Sequence, residues 1–298
     1  MKKFLLLVFV CATFNVFAQI EDDAKFTGTL LWKISGRDLK ESSYIFGSHH
    51  VIGTEYVNDI SGFWDAFNSS KQVVGEILMS DTEEIQAKIM TMMLMPASYS
   101  YKGVLSEEEY VRLDKNLKEA FGSGMETFSS MHPAMISLLY VTTLFTNLFP
   151  GKEISSIDMF VQELAKEKNK TILGLETVND QIYLLFNTES IETQIKDLEC
   201  GLNNQEYARK SLMELTHKYL QADLDGLYKI ALDSENPCPS STEMENAMNK
   251  ERNDNWLLKL PEIMQKPSFI VVGALHLAGE EGLLFQLDIM GYTVEPVY

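Results

Sequence analysis

The chain has 298 residues, with 25 basic side chains against 43 acidic ones and a formal net charge of −18. Such a field repels nucleic acid and anionic lipid, so neither is expected as a partner. The length is enough for one large α/β domain or two small ones, and one is favoured.

Met1, Lys2 and Lys3 precede an apolar run that closes on Val16, Phe17 and Ala18, the pattern of a secretory signal peptide cleaved after Ala18. The run falls short of the ~20 residues that span a bilayer. Cys11 lies behind Val10 without the small residue that precedes a lipoprotein cysteine, so residues 1–18 are read as a signal peptide and 19–298 as one exported domain. The product is expected to be periplasmic or extracellular, with no stable membrane insertion. Cys200 and Cys238 can pair in an oxidising compartment, and the turn-like Asn236-Pro237-Cys238-Pro239 suits such a bridge; two separate thiols are the alternative.

Residues 29–34 read as a strand, and the turn Ser35-Gly36-Arg37-Asp38 leads to a second strand at 44–46, which is predicted to pair with it as a hairpin. A helix is predicted around 62–67, then an apolar strand over 72–78 whose single charge is Glu76. From 81 to about 150 the pattern is helical. Met90, Met92, Met93 and Met95 bunch ahead of Pro96, either lining an adaptable peptide groove or filling core gaps. Ser106 and Glu109 have capping-box spacing, so a helix starts there. Pro133 and Pro150 bracket an apolar segment, 134–149, that is too short and too polar to cross a membrane; a buried core helix is expected, with a substrate-covering lid as the alternative. Ser156 is placed to cap a helix that leads through Asn169 to a strand at 171–175. Residues 178–264 are helical, broken near Gly201 and across 236–239. A β-branched and aromatic strand at 269–272, a helix at about 280–290 and a strand at 293–297 close the chain. The fold class is α/β, a central mixed β-sheet flanked by helices, with large helical insertions.

Two short motifs echo each other: Gly47-Ser48-His49-His50 after one strand, and Gly273-Ala274-Leu275-His276 after another. Ligands of open α/β sheets bind beyond the carboxyl ends of the strands, and glycine there permits close backbone approach. Each motif thus brings a histidine to that rim. Glu76 ends a third strand, where an ionised carboxylate must be paired, protonated or bound to a metal. Two imidazoles and a carboxylate form a ligand set for a divalent ion of the Zn, Mn or Co class, which would lower the pKa of bound water toward ~7. The plainer readings are a hydrogen-bonded strand-end histidine and an ion pair between Glu76 and Arg252. Arg252 either steadies an oxyanion or substrate carboxylate, or pairs with Glu76 or Glu176. By strand alternation His49 points away from His50, and His132 and His217 read as structural.

The ordered set of Leu31-Trp32-Lys33-Ile34, Gly47 to His50, Val73-Val74-Gly75-Glu76, Ile157-Asp158, Gly174-Leu175-Glu176-Thr177 with Gln181, Glu251-Arg252-Asn253, and Gly273 to Leu277 resembles the TraB/GumN family over residues 29–297. The resemblance implies a fold related to the erythromycin esterase and ChaN haem-binding group, and kinship with the Tiki proteins, metal-dependent proteases that trim secreted Wnt signals. It also implies an active site of His50, Glu76 and His276. The expectation is an exported metal-dependent hydrolase, a peptidase or amidase acting on a peptide or small molecule. The alternatives are a metal-independent, esterase-like hydrolase with a histidine base, and a non-catalytic haem-binding protein of the same fold.

Overall fold

The computed structural model describes residues 26–49, 51–79, 88, 90–150 and 156–298, so the signal segment and His50 lie outside the described residues. Six strands form one sheet in the order β4-β3-β5-β2-β1-β6: β1 is Leu31–Ser35, β2 Ser43–Ser48, β3 Gln72–Gly75, β4 Thr171–Gly174, β5 Ser268–Gly273 and β6 Thr293–Pro296. β1 and β2 form the predicted antiparallel hairpin, and β6 runs antiparallel to β1. The other pairings, β2 with β5, β5 with β3 and β3 with β4, are parallel. Parallel strands are covered on both faces, which is why β5 is a continuous apolar run in which Phe269, Ile270, Val271 and Val272 are all buried. This topology turns the carboxyl ends of β2, β3, β4 and β5 to the same rim.

Trp32, Phe46, Phe63, Phe67, Phe269 and Trp256 are among the buried residues of the core around the sheet. A second core belongs to the helical insertions. There Leu113 and Leu117 of helix Glu107–Phe121, Ile136 and Tyr140 of helix Pro133–Leu148, and Ile195 and Leu198 of helix Ile191–Asn203 pack together. The capping box of Ser106 and Glu109 is present, and Ser156 caps helix Ile157–Glu167. Helix Pro133–Leu148 buries Ile136, Tyr140, Leu144 and Phe145 in that second core, as expected of a core helix. Among the described residues no helix is long and apolar enough to cross a membrane.

Two boundaries differ from the sequence reading. Gly201 lies inside helix Ile191–Asn203, and the break comes at Asn204, whose side chain turns back to the Cys200 carbonyl at 2.9 Å. The strand expected over 72–78 ends at Gly75, because the chain there turns Glu76 into the rim instead of continuing the ladder.

Cys200 and Cys238 form a disulfide across a sequence separation of 38. A loop of that size removes chain entropy from the unfolded state equivalent to about 2–4 kcal/mol. The double variant Cys200→Ala/Cys238→Ala is therefore expected to unfold in urea at a stability lower by that amount, with the sheet core intact; an unchanged midpoint would show that the bridge does not constrain the unfolded chain.

Candidate active site

Glu76, Glu176 and His276 reach the rim just beyond strand ends, and Arg252 reaches it from a helix. The Ser48 and Gly273 termini of β2 and β5 are paired in register, which sets Gly47 and Ser48 beside the start of the second Gly-x-x-His turn. Gly47 makes this possible: a Cβ there would stand 3.0 Å from the Ala274 Cα and 3.0 Å from the Leu277 side chain. Around the first turn, Tyr219 donates its hydroxyl to the Gly47 carbonyl at 3.0 Å and Ser48 donates to the buried Asp158 carboxylate at 2.8 Å. The His49 ring packs on Tyr219 with centroids 4.9 Å apart.

Glu76 and Glu176 follow the ends of the neighbouring strands β3 and β4, and the Glu176 N–H donates to the Glu76 carbonyl at 2.8 Å. The Glu76 carboxylate accepts from the Gly273 N–H at 2.8 Å, from Gln181 at 3.1 Å and from Arg252 at 2.6 Å. Glu176 accepts from Arg252, again at 2.6 Å, from Gln181 at 3.0 Å and from the Trp256 indole at 3.3 Å.

Helix Lys250–Ile263 supplies the centre of the network. Arg252 Nη1 meets His276 Nε2 at 2.9 Å and the Met248 carbonyl at 3.2 Å, while Nη2 and Nε serve the two glutamates. A guanidinium has five N–H donors, and these contacts use them all. Its face stacks on Trp256 at 4.7 Å. Burial alone would lower its pKa, but the Glu76 and Glu176 carboxylates outweigh that and raise it above the usual value. The group stays charged.

Because Arg252 can only donate, His276 Nε2 must accept, and the ring proton sits on Nδ1. That proton goes to Asn253 Oδ1 at 2.8 Å. Asn253, wholly buried, fixes its own orientation by donating to the carbonyls of His276 and Glu281. His276 is therefore a neutral imidazole of defined tautomer, with Trp256 4.5 Å from its ring.

The structure brings Glu76, His276 and Arg252 together, and His50 lies outside the described residues. Arg252 combines its two plainer readings by pairing with both glutamates. With its donors so engaged, it is not presented to a substrate oxyanion. Glu176, Gln181, Asn253 and Trp256 complete the cluster; the sequence flagged Glu176 as a possible partner of Arg252, and Gln181 and Asn253 only as parts of family motifs.

The described donors do not suit a divalent ion as they stand. His276 Nε2 and Glu76 Oε1 are 4.0 Å apart, but the Arg252 guanidinium already holds Nε2 and the other Glu76 oxygen. Among the described residues, no group of three or more His, Cys, Asp or Glu side chains is arranged to hold a metal.

No curated protein and no solved structure matches the chain significantly. A model of the TraB/PrgY/gumN family matches residues 30–296, which is most of its length. The chain belongs to the TraB/PrgY/gumN family.

Proposed function

We propose that the chain is an exported hydrolase of peptide or amide bonds, with its reaction centre at the rim formed by Glu76, His276, Arg252 and His50. One observation carries this reading. Two carboxylates, a guanidinium and an imidazole converge from three strand ends and a helix into a buried cluster that packing alone would not favour. Apolar residues of the same volume would stabilise the fold as well or better, so the cluster points to chemistry. The Cys200–Cys238 bridge supports export, because such bonds persist in oxidising compartments.

Within the cluster, the Glu76 carboxylate is too strongly hydrogen-bonded to be an effective base, and the His276 lone pair is held by Arg252. His50 is accordingly assigned as the base that takes a proton from the attacking water. Two carboxylates and one guanidinium leave the cluster with one net negative charge, which favours the imidazolium formed in that step. The Arg252 guanidinium already supplies positive charge to Glu76 and His276, so the proposed hydrolysis proceeds without a metal ion.

The test is hydrolysis of chromogenic peptide amides by the purified mature chain, with metal content measured on the same sample. His50→Ala is expected to cost about 10²–10⁴-fold in rate, and chelator treatment is expected to cost nothing. Stoichiometric zinc, manganese or cobalt whose removal abolishes activity would replace this mechanism by a metal-dependent one. No turnover of any amide or ester would remove the enzyme reading.

A further inference from the structure

A cavity of about 400 Å³ lies between the methionine-rich segment and the end of helix Val178–Asn187, with Met92, Met95, Phe186 and Ile191 on its apolar wall. Three features make it more than a packing gap.

The first is a strand edge. Leu94 forms an isolated antiparallel bridge with Met131, flanked by bonds from the His132 N–H to the Met93 carbonyl at 2.8 Å and from the Met95 N–H to the Ser130 carbonyl at 2.9 Å. Antiparallel geometry turns the N–H and C=O of Leu94 itself to the opposite edge, and the residue is 60% exposed. An extended peptide can add there as a further strand.

The second is a donor. His132 borders the cavity and is only 3% exposed. Its Nδ1 accepts from the Ala134 N–H at 3.3 Å, so the ring proton is on Nε2, for which no acceptor is present among the described residues. A ligand carbonyl would supply one. The third is position. Gln181 holds both Glu76 and Glu176, and Phe186 follows it by five residues on the same helix, about 7.5 Å along the axis. That is the length of two or three extended residues at ~3.3 Å each.

We propose that this cavity is a specificity subsite: it receives one large apolar side chain of an extended peptide lying along the Leu94 edge, two or three residues from the bond that is cut. The assignment rests on the hydrolase reading above. Glu189, on the same rim, disfavours an acidic side chain at that position.

Binding tests the subsite separately from turnover. Fluorescein-labelled alanine pentapeptides with a central Leu, Met or Asp would be titrated in the cold against the full chain, with fluorescence anisotropy as the readout and mass spectrometry of the same samples reporting cleavage. The Leu and Met peptides are expected to bind about tenfold or more tightly than the Asp peptide. Asn187→Trp, an exposed position on the cavity wall, is expected to fill the space and level the three affinities. His132→Asn, which keeps a helix-capping side chain but loses the ring N–H, is expected to weaken all three alike. Absence of saturable binding, equal affinities, or a preference that survives Asn187→Trp would overturn the subsite. Preferential binding without cleavage would keep the subsite and remove the hydrolase; cleavage without preference would do the reverse.

Discussion

Arg252→Ala is expected to lower the unfolding free energy by about 3–5 kcal/mol, the range typical of removing one partner from a buried ion pair. The reason is what the substitution leaves behind. Glu76 and Glu176 would face each other without their cation, and the Met248 carbonyl and His276 Nε2 would lose their donor in a site from which water is largely excluded. Arg252→Lys is expected to recover only part of the loss, since an ammonium is a point charge and cannot span two carboxylates and an imidazole at once. The triple variant Glu76→Gln/Glu176→Gln/Arg252→Met removes the charges together, and it is expected to unfold close to the wild-type midpoint while having no activity. Urea unfolding of the three proteins decides the matter. An Arg252→Ala loss below about 1 kcal/mol would mean that the network does not form as described.

Much of this arrangement is legible in the sequence, but unevenly. β5 and β3 stand out as apolar runs, and Glu76 stands out because it is the only charge in its segment. The Gly-x-x-His echo places two histidines at strand ends without reference to any fold. What no local pattern contains is the strand order. β5, from the far end of the chain, inserts between β3 and β2, and only that insertion brings the Gly273 N–H to Glu76. The choice between roles for Arg252 was equally out of reach, because it depends on Glu76 and Glu176 emerging from adjacent parallel strands. Asn253 and Trp256 carry no periodic signal at all. Their contacts with His276 exist only once the second Gly-x-x-His turn packs against that helix.

Glu76→Gln is expected to lower kcat/KM by about 10²–10⁴-fold and to move the acid limb of the pH–rate profile to lower pH. The amide nearly matches the carboxylate in shape but introduces an N–H₂ group among donors, so it meets either the Gly273 N–H or the Arg252 and Gln181 side chains with the wrong polarity. More importantly, it takes the net charge of the cluster from minus one to zero. A histidine base must be neutral to act, and its proton-bound form is favoured by negative charge nearby. Removing that charge makes the base easier to deprotonate, so the limb shifts to lower pH while the plateau rate falls. The direction of the shift discriminates between mechanisms. If Glu76 were itself the base, its replacement would remove the titration belonging to it, and the residual activity would show no displaced limb. If Glu76 were a metal ligand, the variant would lose bound metal and activity together. Only the electrostatic role yields a weaker enzyme that remains active to lower pH.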